Sequence, residues 1–80
     1  MGVSYGKKQV KINLNRLLSD HGISLRELSR LADIRHATLS ELANNKRKSI
    51  HFDHIKRISE ALNITDIRKI IEIVTIEDEH

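Results

Sequence analysis

At 80 residues, with 39% hydrophobic and 31% charged side chains, the chain has the composition of one folded domain and is too short for a two-domain enzyme. It contains no cysteine, which excludes a disulfide framework or a thiolate zinc site as a source of stability. Net charge is +3, but four of the 11 acids (Glu72, Glu77, Asp78, Glu79) follow residue 71 and all 14 Lys and Arg precede it, so residues 1–71 carry +7. A basic body with a short acidic tail suits a polyanion-binding protein. Residues 1–8 lack the apolar stretch of a signal peptide, and no run approaches the ~18 apolar residues of a membrane span, so a cytoplasmic location is expected.

In chain order, Val10, Ile12 and Leu14 alternate and predict a short strand. Leu14, Leu17 and Leu18 then recur at helical spacing, and Gly22 stands where a left-handed C-cap belongs, which predicts a first helix over residues 14–21. Ser24 and Glu27 have the spacing of a capping box, the hydroxyl accepting from the Glu27 amide and the carboxylate reaching back, with Ile23 and Leu28 as a hydrophobic staple. The second helix therefore starts at Leu25 and carries Leu28, Leu31 and Ala32 on its apolar side. Only Asp33, Ile34 and Arg35 separate it from a third helix, residues 36–44, marked by Leu39, Leu42 and Ala43.

Asn44 and Asn45 tolerate the left-handed conformation and, with Lys46, Arg47 and Lys48, predict a basic loop. Ile55, Ile58 and Leu62 place a fourth helix over residues 52–62, and Thr65 is positioned to cap a short fifth helix carrying Ile67, Ile70 and Ile71. Val74 and Ile76 alternate again, predicting a second strand that pairs with the first as a small antiparallel ribbon. The alternative is that the fifth helix continues through residues 73–76. Pro is absent, and turns fall mainly to Gly, Asn, Asp and Lys.

The second helix, the three-residue turn and the third helix form one unit. If they cross steeply, Leu28, Ala32, Ile34, Leu39 and Leu42 converge beneath the corner and the outer face of the third helix stays free. Residues 23–46, ISLRELSRLADIRHATLSELANNK, resemble the helix-turn-helix of lambda-repressor-like (Cro/cI-type, XRE family) regulators, and the similarity extends over residues 12–71. In that family a small residue after the leucine of the second helix permits the close crossing, and Ser29 occupies that place. Three positions differ from the usual pattern: Asp33 stands where Gly is common in the turn, Leu25 where Gln reaches a phosphate, and Arg35 where Ser or Thr caps the third helix.

The resemblance implies a mainly α fold: a five-helix DNA-binding domain over residues 10–76, preceded by a flexible segment, residues 1–9, and followed by an acidic tail, residues 77–80. It assigns base reading in the major groove to Arg35, His36, Ala37, Ser40 and Glu41. Arg matches the O6 and N7 acceptors of guanine, His36 donates to the same edge, Ala37 or the Thr38 methyl packs on a thymine methyl, and Glu41 accepts from the cytosine amino group. Phosphate contacts fall to Asn44, Lys46, Arg47 and Lys48 just beyond that helix, with Arg26 and Thr38. The implied function is sequence-specific binding of double-stranded DNA and transcriptional repression, in a bacterial or phage-encoded, nucleoid-associated homodimer; the fifth helix and residues 74–76 are the candidate dimer surface, the alternative being that their isoleucines only complete the core.

The rival is a protein-interaction module on the same fold, an anti-repressor or antitoxin-like binder of a regulatory protein partner. Against it stand the cationic loop and the low apolar content of the third helix's outer face; the aromatic residues are Tyr5 and Phe52 alone. His51 and His54 are three apart but lack the further ligands of a metal set. No catalytic constellation or Gly-rich phosphate loop can be assembled, with Gly only at positions 2, 6 and 22, and neither an enzyme nor a cofactor is expected.

Overall fold

The computed structural model describes residues 6–76. The acidic tail at 77–80 and the first five residues of the N-terminal segment lie outside that range. In order, the chain forms β1 (Lys7–Ile12), α1 (Leu14–His21), α2 (Leu25–Ala32), α3 (His36–Ala43), α4 (Phe52–Leu62) and β2 (Ile71–Ile76), with a single 3-10 turn at Ile67–Lys69 before β2.

One core unites the helices. Leu14, Leu17 and Leu18 of α1, Leu28 and Ala32 of α2, Ile34 of the turn, Leu39, Leu42 and Ala43 of α3, and Ile58 and Leu62 of α4 are all buried. Each helix thus contributes one apolar stripe, which is how helices this short become stable. Leu31, expected on the apolar side of α2, is instead 45% exposed. It lies three residues from Leu28, on the edge of the stripe that Leu28 and Ala32 define, and α2 is too short for a wider buried face.

The helices end by a shared device. Gly22, Asp33, Asn45 and Asn63 are left-handed, with φ of 64°, 57°, 56° and 53°. After each, the next amide reaches five residues back: Ile23 to Leu18 O at 3.1 Å, Ile34 to Ser29 O at 3.2 Å, Lys46 to Glu41 O at 2.9 Å and Ile64 to Ser59 O at 2.8 Å. These bonds satisfy carbonyls that a helix end leaves without donors. At α1, α2 and α4 the following isoleucine also turns inward onto the core. At the other end of α2, Ser24 accepts from the Glu27 amide at 3.0 Å as the capping box requires, but the Glu27 carboxylate pairs with Arg30 instead of reaching back.

The fifth helix is not formed. Asp66, not Thr65, caps the segment, accepting from the Arg68 amide at 3.0 Å, and three residues of 3-10 geometry follow before Ile71 enters β2. The run Ile71–Ile76 is mostly β-branched, and pairing it with β1 satisfies two backbones at once. The strands are antiparallel, with Ile12 opposite Ile71, Val10 opposite Ile73 and Lys7 opposite Ile76. Lys7, Lys8 and Gln9, placed by the sequence reading in a flexible leader, therefore lie in a strand, while Leu14, read as its last alternating residue, opens α1. Ile12 and Ile70 anchor the base of the ribbon in the core, and the Asn13 amide closes the junction on Ile70 O at 2.7 Å.

Candidate nucleic-acid interface

The turn between α2 and α3 sets the site. Asp33 holds φ 57° and ψ 49°, the left-handed conformation that glycine adopts most freely. The Ser29 hydroxyl donates to the Ile34 carbonyl across the corner, so the small residue at this position both allows the close approach and fastens it. Beneath the corner Leu28, Ala32, Ile34, Leu39 and Leu42 are buried together, as the spacing requires.

Above the corner, Arg35 is the N-cap of α3, with φ −57° and ψ 139° and without a side-chain cap bond. Arg35, His36, Ala37 and Glu41 are exposed, whereas Ser40 and Thr38 are half-buried. His36, Ala37, Ser40 and Glu41 recur at helical spacing and share one face, opposite Leu39, Leu42 and Ala43. Thr38 and Arg35 turn toward α4, where with Asp33, Ile34, Asp53, His54 and Arg57 they line an open depression. Asn44, Lys46, Arg47 and Lys48 follow in an exposed loop, and Arg26 is exposed on the first turn of α2. Leu25 packs against the core, so that position presents no polar group outward.

Two of these charges already have partners. Arg47 Nη1 lies 3.5 Å from Glu41 Oε1, tying the loop back to α3. Glu41 thereby reduces the positive charge of the loop in the free protein, and both groups must part if each is to meet DNA separately. The loop is also tied to the ribbon: Asn45 Oδ1 accepts from the Ile12 amide at 2.8 Å and its Nδ2 donates to Ile12 O at 3.4 Å.

Two further residues at the site escaped the sequence reading of DNA contacts. Arg57 of α4 donates to the Asp33 carbonyl at 2.8 Å and pairs with Asp53 at 2.8 Å. Asp53 and Arg57 have the four-residue spacing of a helix ion pair, a signal the sequence carries; the link to Asp33, 24 positions away, has none. His54 packs edge to face on His51 with ring centroids 5.2 Å apart, and its Nδ1 is buried without a partner. Burial, then the neighbouring His51 and Arg47, push the His54 pKa below its ordinary value. Among the described residues no group of three or more His, Asp and Glu converges as metal ligands, and no helix is long and apolar enough to cross a membrane.

Comparison with known families finds that the model of the Cro/C1-type HTH DNA-binding domain matches residues 13–75. No curated protein and no solved structure matches the chain.

Proposed function

The chain belongs to the Cro/C1-type helix-turn-helix DNA-binding family, and from that premise we propose that it represses transcription by seating α3 in the major groove of a specific operator. The family is one of DNA-binding regulators, and double-stranded DNA is the partner. The observation that supports the finer reading is the division of α3 into two faces. Leu39, Leu42 and Ala43 are buried and fix the helix to the core, while His36, Ala37 and Glu41 are exposed with half-buried Ser40 between them, and Arg35 is exposed at the N-cap.

In this reading Arg35 and His36 take guanine edges, Ala37 takes a thymine methyl, and Ser40 and Glu41 complete the readout. Asn44, Lys46, Arg47 and Lys48, with Arg26 and Thr38, grip phosphates on either side and hold the register without reading sequence. Repression follows from occupancy, because a groove filled by α3 is closed to other proteins.

One short helix contacts few base pairs, so two copies read two half-sites about 34 Å apart. Exposed Val10, Ile67 and Ile73, at 60%, 56% and 70%, supply the surface that joins them. These apolar residues lie on the ribbon and the 3-10 turn, not on α3, which favours DNA over a protein ligand at the recognition helix.

Enrichment of random duplexes on the purified protein at two salt concentrations tests the proposal. A palindromic motif recovered at both is the expected result. Recovery of no motif favours the protein-binding rival.

A further inference from the structure

Asp33 turns the chain between α2 and α3 in a conformation that disfavours a residue with a Cβ. Its carbonyl also belongs to a helix end, where intrahelical donors run out. Arg57 addresses both: its Nη1 donates to Asp33 O at 2.8 Å and to Asp33 Oδ2 at 3.3 Å, while its Nε forms an ion pair with Asp53 Oδ2 at 2.8 Å. Asp53, one turn earlier on α4, fixes one edge of the planar guanidinium so that the other is aimed at the turn.

The corner is therefore gripped from two elements. From α2, Ser29 takes both backbone polar groups of Ile34, its carbonyl accepting from the Ile34 amide at 3.2 Å and its hydroxyl donating to the Ile34 carbonyl. From α4, Arg57 takes Asp33. Immediately after Ile34 comes Arg35, whose side chain makes no cap bond to the start of α3. The direction in which α3 leaves the corner is thus set by the turn that precedes it.

We propose that Arg57 is a positioning residue for the recognition helix: it holds Asp33 left-handed and so fixes the angle at which α3 leaves the turn. The role in recognition rests on the DNA reading above. Arg57 is flanked by two carboxylates and acts through the backbone, not as a phosphate-binding cation. Both partners of the turn contact are exposed, at 40% and 95% of their side chains, so the ion pair adds little to global stability and its effect is local.

Amide hydrogen exchange on the full chain tests this with Arg57→Ala, Arg57→Lys, Asp33→Gly and the double variant Asp33→Gly, Arg57→Ala. Arg57→Ala is expected to speed exchange of the Ile34 and Leu39 amides about tenfold relative to amides of α1 and β1. Asp33→Gly restores most of that protection, because glycine needs no clamp, and Arg57→Lys, lacking the planar fork, gives an intermediate rate. Uniform acceleration along the chain, or no restoration by glycine, overturns the clamp. On DNA, Arg57→Ala is expected to narrow the affinity ratio between a selected and a scrambled duplex about tenfold at an unchanged salt slope. A loosened corner with an unchanged ratio refutes base reading by α3 and leaves the clamp standing, so the two ideas fail separately.

Discussion

Arg35, the N-cap, and His36, the first residue of the recognition helix, are both exposed, where a guanidinium or an imidazole can meet the acceptor edge of guanine. Replacing either with Ala is expected to weaken binding to a selected duplex by about 1 to 3 kcal/mol, with a smaller effect on scrambled DNA. Equal losses on both duplexes would show that these side chains hold DNA without reading it. His54, behind them, answers to pH. Because burial lowers its folded pKa from the ordinary 6.5, the unfolded chain binds its proton more readily than the folded one does. The stability that neutral His54 secures is therefore complete above about pH 6.5 and is lost as the pH falls from there toward the lower folded value. Thermal melts across that window should show the wild-type chain losing stability more steeply than His54→Gln; parallel profiles would remove His54 as the cause.

Among the elements, the four helix ends show what the amino-acid pattern discloses and what it hides. The helices were legible because each pairs an apolar stripe with a terminating residue of known preference: Gly22 after α1 and the Asn44, Asn45 pair after α3. Ser24 before α2 marked a start in the same way, and its bond to the Glu27 amide is present. Asp33 stands in the turn where glycine is common; its partner Arg57 belongs to a distant helix, and no local pattern joins them. The fifth helix failed for a related reason. Ile67, Ile70 and Ile71 fit a helical period, and the alternation at Val74 and Ile76 marks a strand, but that β1 pairs with the chain from Ile71 onward, across 59 to 69 positions, has no local signature. Asn45 carries a comparable long-range link, since its side chain satisfies the Ile12 amide inside a partly buried junction. Asn45→Ala should cost about 1 to 3 kcal/mol, from the stranded amide and the loss of a residue suited to positive φ. Urea unfolding measures this, and a loss of a few tenths would mean that water replaces the side chain.

At the scale of the whole molecule, the cations of residues 46–48 follow α3, and Phe52, 89% exposed, opens α4 just beyond them. Exposed Val10, Ile67 and Ile73 lie on the ribbon and the turn before it, among the exposed cations Lys7, Lys8, Lys11, Arg68 and Lys69. Ile67, Ile71 and Ile73 line a shallow apolar recess whose rim carries Arg68 and Glu72, one charge of each sign, which suits a second copy related by two-fold symmetry. In the proposed dimer, Ile73→Lys should drive sedimentation toward the monomer and weaken binding to a two-half-site duplex while sparing a single half-site. A variant that remains dimeric would move the interface elsewhere. The relation of α3 to DNA is tested most directly by titrating the isotope-labelled chain with a selected duplex and following every backbone amide. The largest shifts are expected at residues 35–41 and 44–48, with the ribbon nearly silent at a half-site. Largest shifts on β1 and β2, with the α3 amides unmoved, would contradict major-groove reading by this helix.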